Sequence, residues 1–322
     1  MNRVVITGMG IYSTIGYNID EVRQSLYTGK SGIVFDPIRK DLGFRSSLTG
    51  YIERPILKGI LSRRMRVGLA EQGEYAYIAT TEAINNAGID EEFLNKNEVG
   101  IIYGNDSSST AVIDAADLIR DKKDTMLVGS ASIFQSMNST VSMNLSVILK
   151  LKGINFTISG ACASGSHAIG MGYLMIKQGL QDIIICGGAQ EVNALSMGSF
   201  DGINAFSIRE DSPTKASRPF DRDRDGLVPS GGGATVILES YESAKKKEEL
   251  KFLLRLLVTD FLQMVNIYLL QMLKVLLGLW KGLLKMQGLI LKKLIILMHM
   301  QLQRQLEIKM KQKLFLKFST KE

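Results

Sequence analysis

The chain alternates short, unbroken apolar runs with longer stretches where apolar and polar positions mix at helical spacing. Val4-Val5-Ile6-Thr7, 99–103, 154–159, 182–188 (around Ile183-Ile184-Ile185) and 233–239 read as strands. The segments 18–27, 73–87 and 171–178 read as helices, the second closed by Asn86-Ala87-Gly88. A run that is apolar at every position marks a strand covered on both faces. Helices between such strands point to an α/β fold with a buried, largely parallel sheet.

This pattern stops after Lys247. Residues 248–322 are rich in Leu, Met, Lys and Gln, with no proline and a single aspartate. A membrane-spanning helix needs about 20 apolar residues, and Asp260, Lys274, Lys281 and Lys285 interrupt the run. A basic amphipathic membrane helix needs a clean apolar face, which the tail lacks. The chain therefore divides into an organised region, 1–247, and a tail, 248–322, of different character. Association with a membrane is not expected.

Charge follows the same division. The net charge of +7 comes from the tail, where residues 251–322 hold thirteen Lys and Arg against three acids. The first 250 residues are net acidic, so the overall basicity does not argue for nucleic-acid binding. An apolar content of 45% and a charged content of 22% suit a globular, soluble core. Two cysteines make no disulfide framework, and Met1-Asn2-Arg3 runs straight into a strand rather than a leader. A reducing cytoplasm is the expected setting.

Chemistry concentrates at Ser159-Gly160-Ala161-Cys162-Ala163-Ser164-Gly165. Small residues between a strand and a helix allow a tight turn with the thiol at its tip. There the helix dipole favours thiolate, and unpaired N–H groups can hold an oxyanion. His167, five residues on, is rotated by about 140° on a helix; it reads as a structural histidine, not a base. Gly8-Met9-Gly10 lacks the third glycine of a dinucleotide fingerprint, since Ser13 stands there, and reads as a strand-to-loop turn. Asp221-Arg222-Asp223-Arg224-Asp225-Gly226 imitates a calcium loop but has Gly232 where the twelfth-position acid belongs. It reads as a loop braced by its own ion pairs, with Gly231-Gly232-Gly233 turning the backbone into the next strand. Arg63, Arg64 and Arg66 form a basic cluster in an acidic body, suited to a solvated surface or to an acidic partner.

Four motifs in order, Val5-Ile6-Thr7-Gly8-Met9-Gly10, Ser159-Gly160-Ala161-Cys162-Ala163, Gly187-Gly188-Ala189-Gln190-Glu191 and Arg218-Pro219-Phe220-Asp221 through Gly233, resemble the elongating β-ketoacyl-[acyl-carrier-protein] synthases I and II. The resemblance covers about residues 1–247. It implies the layered α-β-α-β-α thiolase-like fold, of which this chain holds the N-terminal half, and a homodimer. It also implies a Claisen condensation in fatty-acid synthesis. Cys162 would be the nucleophile, its own N–H half of the oxyanion hole. Ala161 and Phe200 would line the acyl pocket, and Arg63, Arg64 and Arg66 would meet the acidic acyl carrier protein. No cofactor or metal is implied, because substrates ride on the carrier's phosphopantetheine.

The family's two catalytic histidines, its lysine and its C-terminal glycine-rich loops have no counterpart after Lys247. The codons explain this. Met298-His299-Met300 must be ATG, CAT or CAC, ATG; read one base back, it permits Asn-Ala-His-Ala. The segment 301–306 then permits Thr-Ser-Thr-Pro-Ile, which completes the family's histidine motif. The same shift turns 258–261 into a permitted Gly-Tyr-Gly-Phe and 248–251 into Arg-Gly-Ala-Lys. Loss of one base, or gain of two, near Lys245-Lys246-Lys247 accounts for the tail. An N-terminal half without its partner exposes a large apolar face, so low solubility and negligible condensing activity are expected. The alternatives are a non-catalytic partner of the chain-length-factor type, which resembles a synthase but lacks the cysteine, and a membrane-associated protein using the tail.

Overall fold

In the computed structural model, the described residues are 1–247 and the backbone of Leu254–Arg255. His299 and the remainder of the tail lie outside them. The strands are β1 (Val4–Ser13), β2 (Ile33–Phe35), β3 (Leu48–Gly50), β4 (Val99–Gly104), β5 (Asn155–Ile158), β6 (Ile183–Gln190), β7 (Gly232–Ser240) and β8 (Leu254–Arg255). The helices before β4 are α1 (Ile19–Thr28), α2 (Pro37–Asp41), α3 (Arg63–Gly68), α4 (Glu71–Asn86) and α5 (Glu91–Lys96). After it come α6 (Ser109–Lys122), α7 (Ser132–Ser136), α8 (Thr140–Ile148), α9 (Ser164–Lys177), α10 (Ala194–Gly202) and α11 (Tyr241–Lys245).

One sheet organises them, in the order β5-β4-β6-β7-β1-β8. β4 pairs in parallel with β5 and β6, while β7 is antiparallel to both β6 and β1. Thus β1, β4, β5 and β6 share a direction, as the apolar runs suggest, but β7 makes the sheet mixed. Helices cover both faces. Ile101, Tyr103, Ile183, Ile185 and Ile237 face one core beneath α4 and α8, together with Ala76, Ala83 and Leu145. Ile102, Ile184, Cys186 and Leu238 alternate to the other face and pack with Ala168, Tyr173 and Ile176 of α9. Two covered faces explain why β6 needs three consecutive isoleucines. The result is one α-β-α unit of a layered fold.

Gly8 and Gly10 do not form the expected turn; both lie inside β1. A Cβ on Gly8 would stand 2.1 Å from the Ala83 carbonyl oxygen, and one on Gly10 would stand 2.0 Å from that of Ala79. These glycines exist so that α4 can lie directly on the strand. The ends of α1 follow from capping: Asn18 accepts from the Glu21 N–H, and Gly29, at φ 67°, terminates the helix.

Candidate active site

β5 delivers the chain to Ser159 and Gly160, a single 3₁₀ turn spans Ala161–Ala163, and α9 begins at Ser164. Ala161 sits at φ 50°, in the left-handed region that a residue with a Cβ enters at a cost. The Ser164 hydroxyl holds the turn from inside: it accepts from the Gly160 N–H at 2.9 Å and donates to the Ala161 carbonyl at 2.6 Å. Ser159 donates its hydroxyl to Asp106 on the loop after β4. The first turn of α9 rests on the ends of β4 and β6, because Gly104, Gly165 and Gly188 leave no side chains between them. A Cβ on Gly104 would come 2.4 Å from the Gly165 nitrogen, and one on Gly188 would come 3.0 Å from the Gly165 Cα.

Cys162 is exposed at the tip of this turn, in contrast to Cys186, which is buried and whose thiol burial pushes well above the usual range. It opens into a cavity of about 660 Å³ lined by Ala161, Met197, Phe200, Phe206 and Leu227 and rimmed by Asn105 and Asp106. The sequence-derived Cys162, Ala161 and Phe200 therefore meet in one place. Phe200, on α10, stacks on Phe206 with ring centroids 6.0 Å apart. The wall is apolar and the thiol stands at its edge, an arrangement suited to a covalently held hydrophobic chain.

Arg63, Arg64 and Arg66 lie elsewhere, on α3, and none of them lines the cavity. Arg63 and Arg64 are exposed, whereas Arg66 is half-buried and donates its Nε–H to the Leu61 carbonyl at 3.2 Å. The free basic surface is thus narrower than the triplet implies. His167 is half-buried and does not line the cavity; its ring edge would lie 3.2 Å from a Cβ on Gly160.

In the loop after α10, Arg218 pairs with Asp221 at 3.8 Å and Arg209 with Asp225 at 3.8 Å. Among the described residues no group of three or more His, Cys, Asp or Glu side chains could hold a metal ion. Gly231 and Gly233 serve close approach rather than a turn. Cβ atoms there would meet the Gln190 carbonyl oxygen at 2.6 Å and the Ala76 nitrogen at 2.8 Å.

Glu191 is a residue that motif reading used without finding its role. Its buried carboxylate accepts from the Ser107 hydroxyl at 2.9 Å, the Ser109 N–H at 2.7 Å and the Thr110 hydroxyl at 2.7 Å. It caps α6 and ties the rim loop of the cavity to the end of β6. Partners more than eighty residues away leave no local signal.

A family model described as the N-terminal domain of β-ketoacyl synthases matches residues 1–244. The 3-oxoacyl-[acyl-carrier-protein] synthase 1 of Haemophilus influenzae is 36% identical over 246 residues, covering 76% of this chain and 60% of the relative. A solved β-ketoacyl synthase from Burkholderia phymatum matches with a TM-score of 0.70 at 34% identity, over 76% of this chain and 60% of that one. The ishigamide ketosynthase/chain length factor matches with a TM-score of 0.67 at 26% identity, over the same shares of the two chains. The chain spans about 60% of the length of the relatives it matches.

Proposed function

Because this chain belongs to the β-ketoacyl synthase family and has its thiolase-like fold, we propose that Cys162 accepts an acyl group from an acyl-carrier-protein thioester and stores it in the adjoining cavity. The thiolate adds to the thioester carbonyl, and the oxyanion is held in part by the Cys162 N–H. The adduct collapses with cleavage of the carrier's C–S bond, the phosphopantetheine sulfur leaves as a thiolate that takes a proton from solvent, and a new thioester joins the acyl chain to Sγ. The exposed thiol at the edge of an apolar cavity carries this reading. Arg63 and Arg64 suit the landing of an acidic carrier, with Arg66 braced behind them. A cytoplasmic homodimer is the assembly this reading favours; among the described residues no helix is long and apolar enough to cross a membrane.

The second half of a synthase reaction is a decarboxylative Claisen condensation. Malonyl-carrier loses carbon dioxide, and its carbanion displaces the Cys162 thiolate from the stored acyl group to give a β-ketoacyl-carrier. That step needs donors for the developing enolate. The family places them in its C-terminal half, for which residues 248–322 offer no matching motif. We therefore assign the chain the acyl-transfer step of fatty-acid synthesis without condensation. With labelled acyl-carrier substrate, peptide mass spectrometry should find one acyl group on Cys162, and Cys162→Ala should reduce incorporation by about 10³-fold or more. No acylation of the unmodified chain would end the proposal, and β-ketoacyl product from malonyl-carrier would overturn the claim that condensation is lost.

The altered reading frame is the cause we infer for the tail. Resequencing the run encoding 245–247 should show a frame, one base back, that is open and encodes the histidine motif; stop codons in that frame would refute it. The ishigamide neighbour keeps a chain-length-factor-like partner role as the second reading. Its distinguishing outcome is an unacylated Cys162 in a chain that binds an intact synthase.

A further inference from the structure

The wall that carries Phe200 is held from behind. α10 is only nine residues long, and its hydrophobic residues point to no dominant face; Phe200 is 42% exposed and Leu195 46%. Its position is instead set by the segment 36–50, which reaches it at three points. At the entrance to α10, Arg39, fully buried, donates Nη2–H to the Val192 carbonyl at 2.9 Å. The same guanidinium stands 3.3 Å from the Asp36 carboxylate and lies over the Phe44 ring, 5.4 Å from its centroid. In the middle, Gly198 faces Phe44: a Cβ there would meet the ring at 3.5 Å. At the far end Asp201, 7% exposed and adjacent to Phe200, accepts from the Arg45 N–H at 2.7 Å and the Ser46 N–H at 3.1 Å.

The second aromatic of the wall is tied to the same segment. Ser46 donates its hydroxyl to the Ser207 carbonyl at 2.5 Å, next to Phe206. The Ala205 N–H returns to the Phe200 carbonyl at 3.0 Å; across the cavity edge the Ser207 N–H donates to the Leu227 carbonyl and the Leu227 N–H donates to the Ala205 carbonyl, each at 2.8 Å. A carboxylate that takes two backbone N–H groups in a buried site fixes both angle and distance. Loss of one of its oxygens as an acceptor leaves a buried donor unmet.

We infer that Asp201, backed by Arg39, is a positioning residue that sets the depth of the acyl cavity by holding the Phe200–Phe206 pair through the segment 36–50. Neither Asp201 nor Arg39 lines the cavity. They select chain length through α10, not by contact. The inference rests on the cavity being the acyl pocket, and the test separates the two.

Full-length chain is treated with N-ethylmaleimide and with N-hexylmaleimide, and labelling of Cys162 is followed by peptide mass spectrometry. Buried Cys186 serves as the internal check on folding. In the unmodified chain the hexyl reagent should react several-fold faster than the ethyl one. Equal rates would overturn the acyl-pocket reading and the inference with it. Asp201→Asn should lower the hexyl-to-ethyl ratio by about threefold or more while leaving the ethyl rate within about twofold, and Phe200→Leu should lower it at least as far. A purely structural role would slow or speed both reagents together. An unchanged ratio in Asp201→Asn, with the ratio altered in Phe200→Leu, would refute the positioning role. If Asp201→Asn fails to fold, Ser46→Ala, which removes the buried bond to Ser207 while leaving the Asp201 carboxylate its backbone donors, should move the ratio in the same direction; an unchanged ratio there counts against the inference.

Discussion

Gly104→Ala should cost Cys162 its native reactivity. The added methyl would lie 2.4 Å from the Gly165 nitrogen and 2.4 Å from the Ser164 carbonyl carbon, both in the backbone of the first turn of α9. No flexible side chain can yield there, so the helix start must move. Cys162, two residues before Ser164, moves with it. Overpacking of this kind costs about 1–3 kcal/mol and more where only backbone can shift. Labelling by N-ethylmaleimide should slow by about tenfold or more, with a lower urea midpoint. Gly202→Ala is the control, because a Cβ there meets nothing within 4 Å. If Gly104→Ala labels at the unmodified rate, the seating of α9 on β4 does not govern the nucleophile.

A second large effect is expected at the other end of the sheet. Lys247 places Nζ 2.5 Å from Oε1 of Glu239, 3.3 Å from the Ala87 carbonyl oxygen and 5.1 Å from the centre of the Phe93 ring. Glu239 is fully buried on β7 and also accepts from the Thr7 hydroxyl on β1. Lys247→Ala would leave the carboxylate without its counter-charge, which costs about 3–5 kcal/mol in comparable buried pairs. Urea denaturation should show that loss, and Glu239→Leu with Lys247→Met should recover much of it. A shift within about 0.5 kcal/mol for Lys247→Ala would mean that the pair contributes nothing, as exposed pairs usually do. Lys247 thus has a built place in the fold.

What the sequence made legible was what local pattern encodes. Ile183-Ile184-Ile185 could only be a strand covered on both sides, and the small residues around Cys162 could only be a tight turn into a helix. The antiparallel β7 was hidden, because 233–239 is as apolar as a parallel strand and direction leaves no mark in such a run. Gly8 and Gly10 looked like a turn because glycine reports freedom and closeness alike; only the presence of Ala79 and Ala83 beside them decides for closeness. Glu191, Arg39 and Asp201 were invisible as site residues. The partners described above stand between 81 and 156 positions away in the chain, apart from the local Asp36 and Phe44.

The placement of β7 between β6 and β1 also sets a timetable. β1 is made first on the ribosome, yet its main ladder, Val4 with Ser240 through Ser13 with Gly232, is with a strand made more than two hundred residues later. At ordinary synthesis rates of about 5–20 residues per second, the first strand waits tens of seconds or less for its neighbour. In that interval β4, β5 and β6 can already associate, while β1 depends on its packing against α4, α1 and α9 without a hydrogen-bonded neighbour among β4, β5 and β6. The hydrogen-bonding edge of β1 is therefore open to chaperones and proteases until residue 240 has emerged.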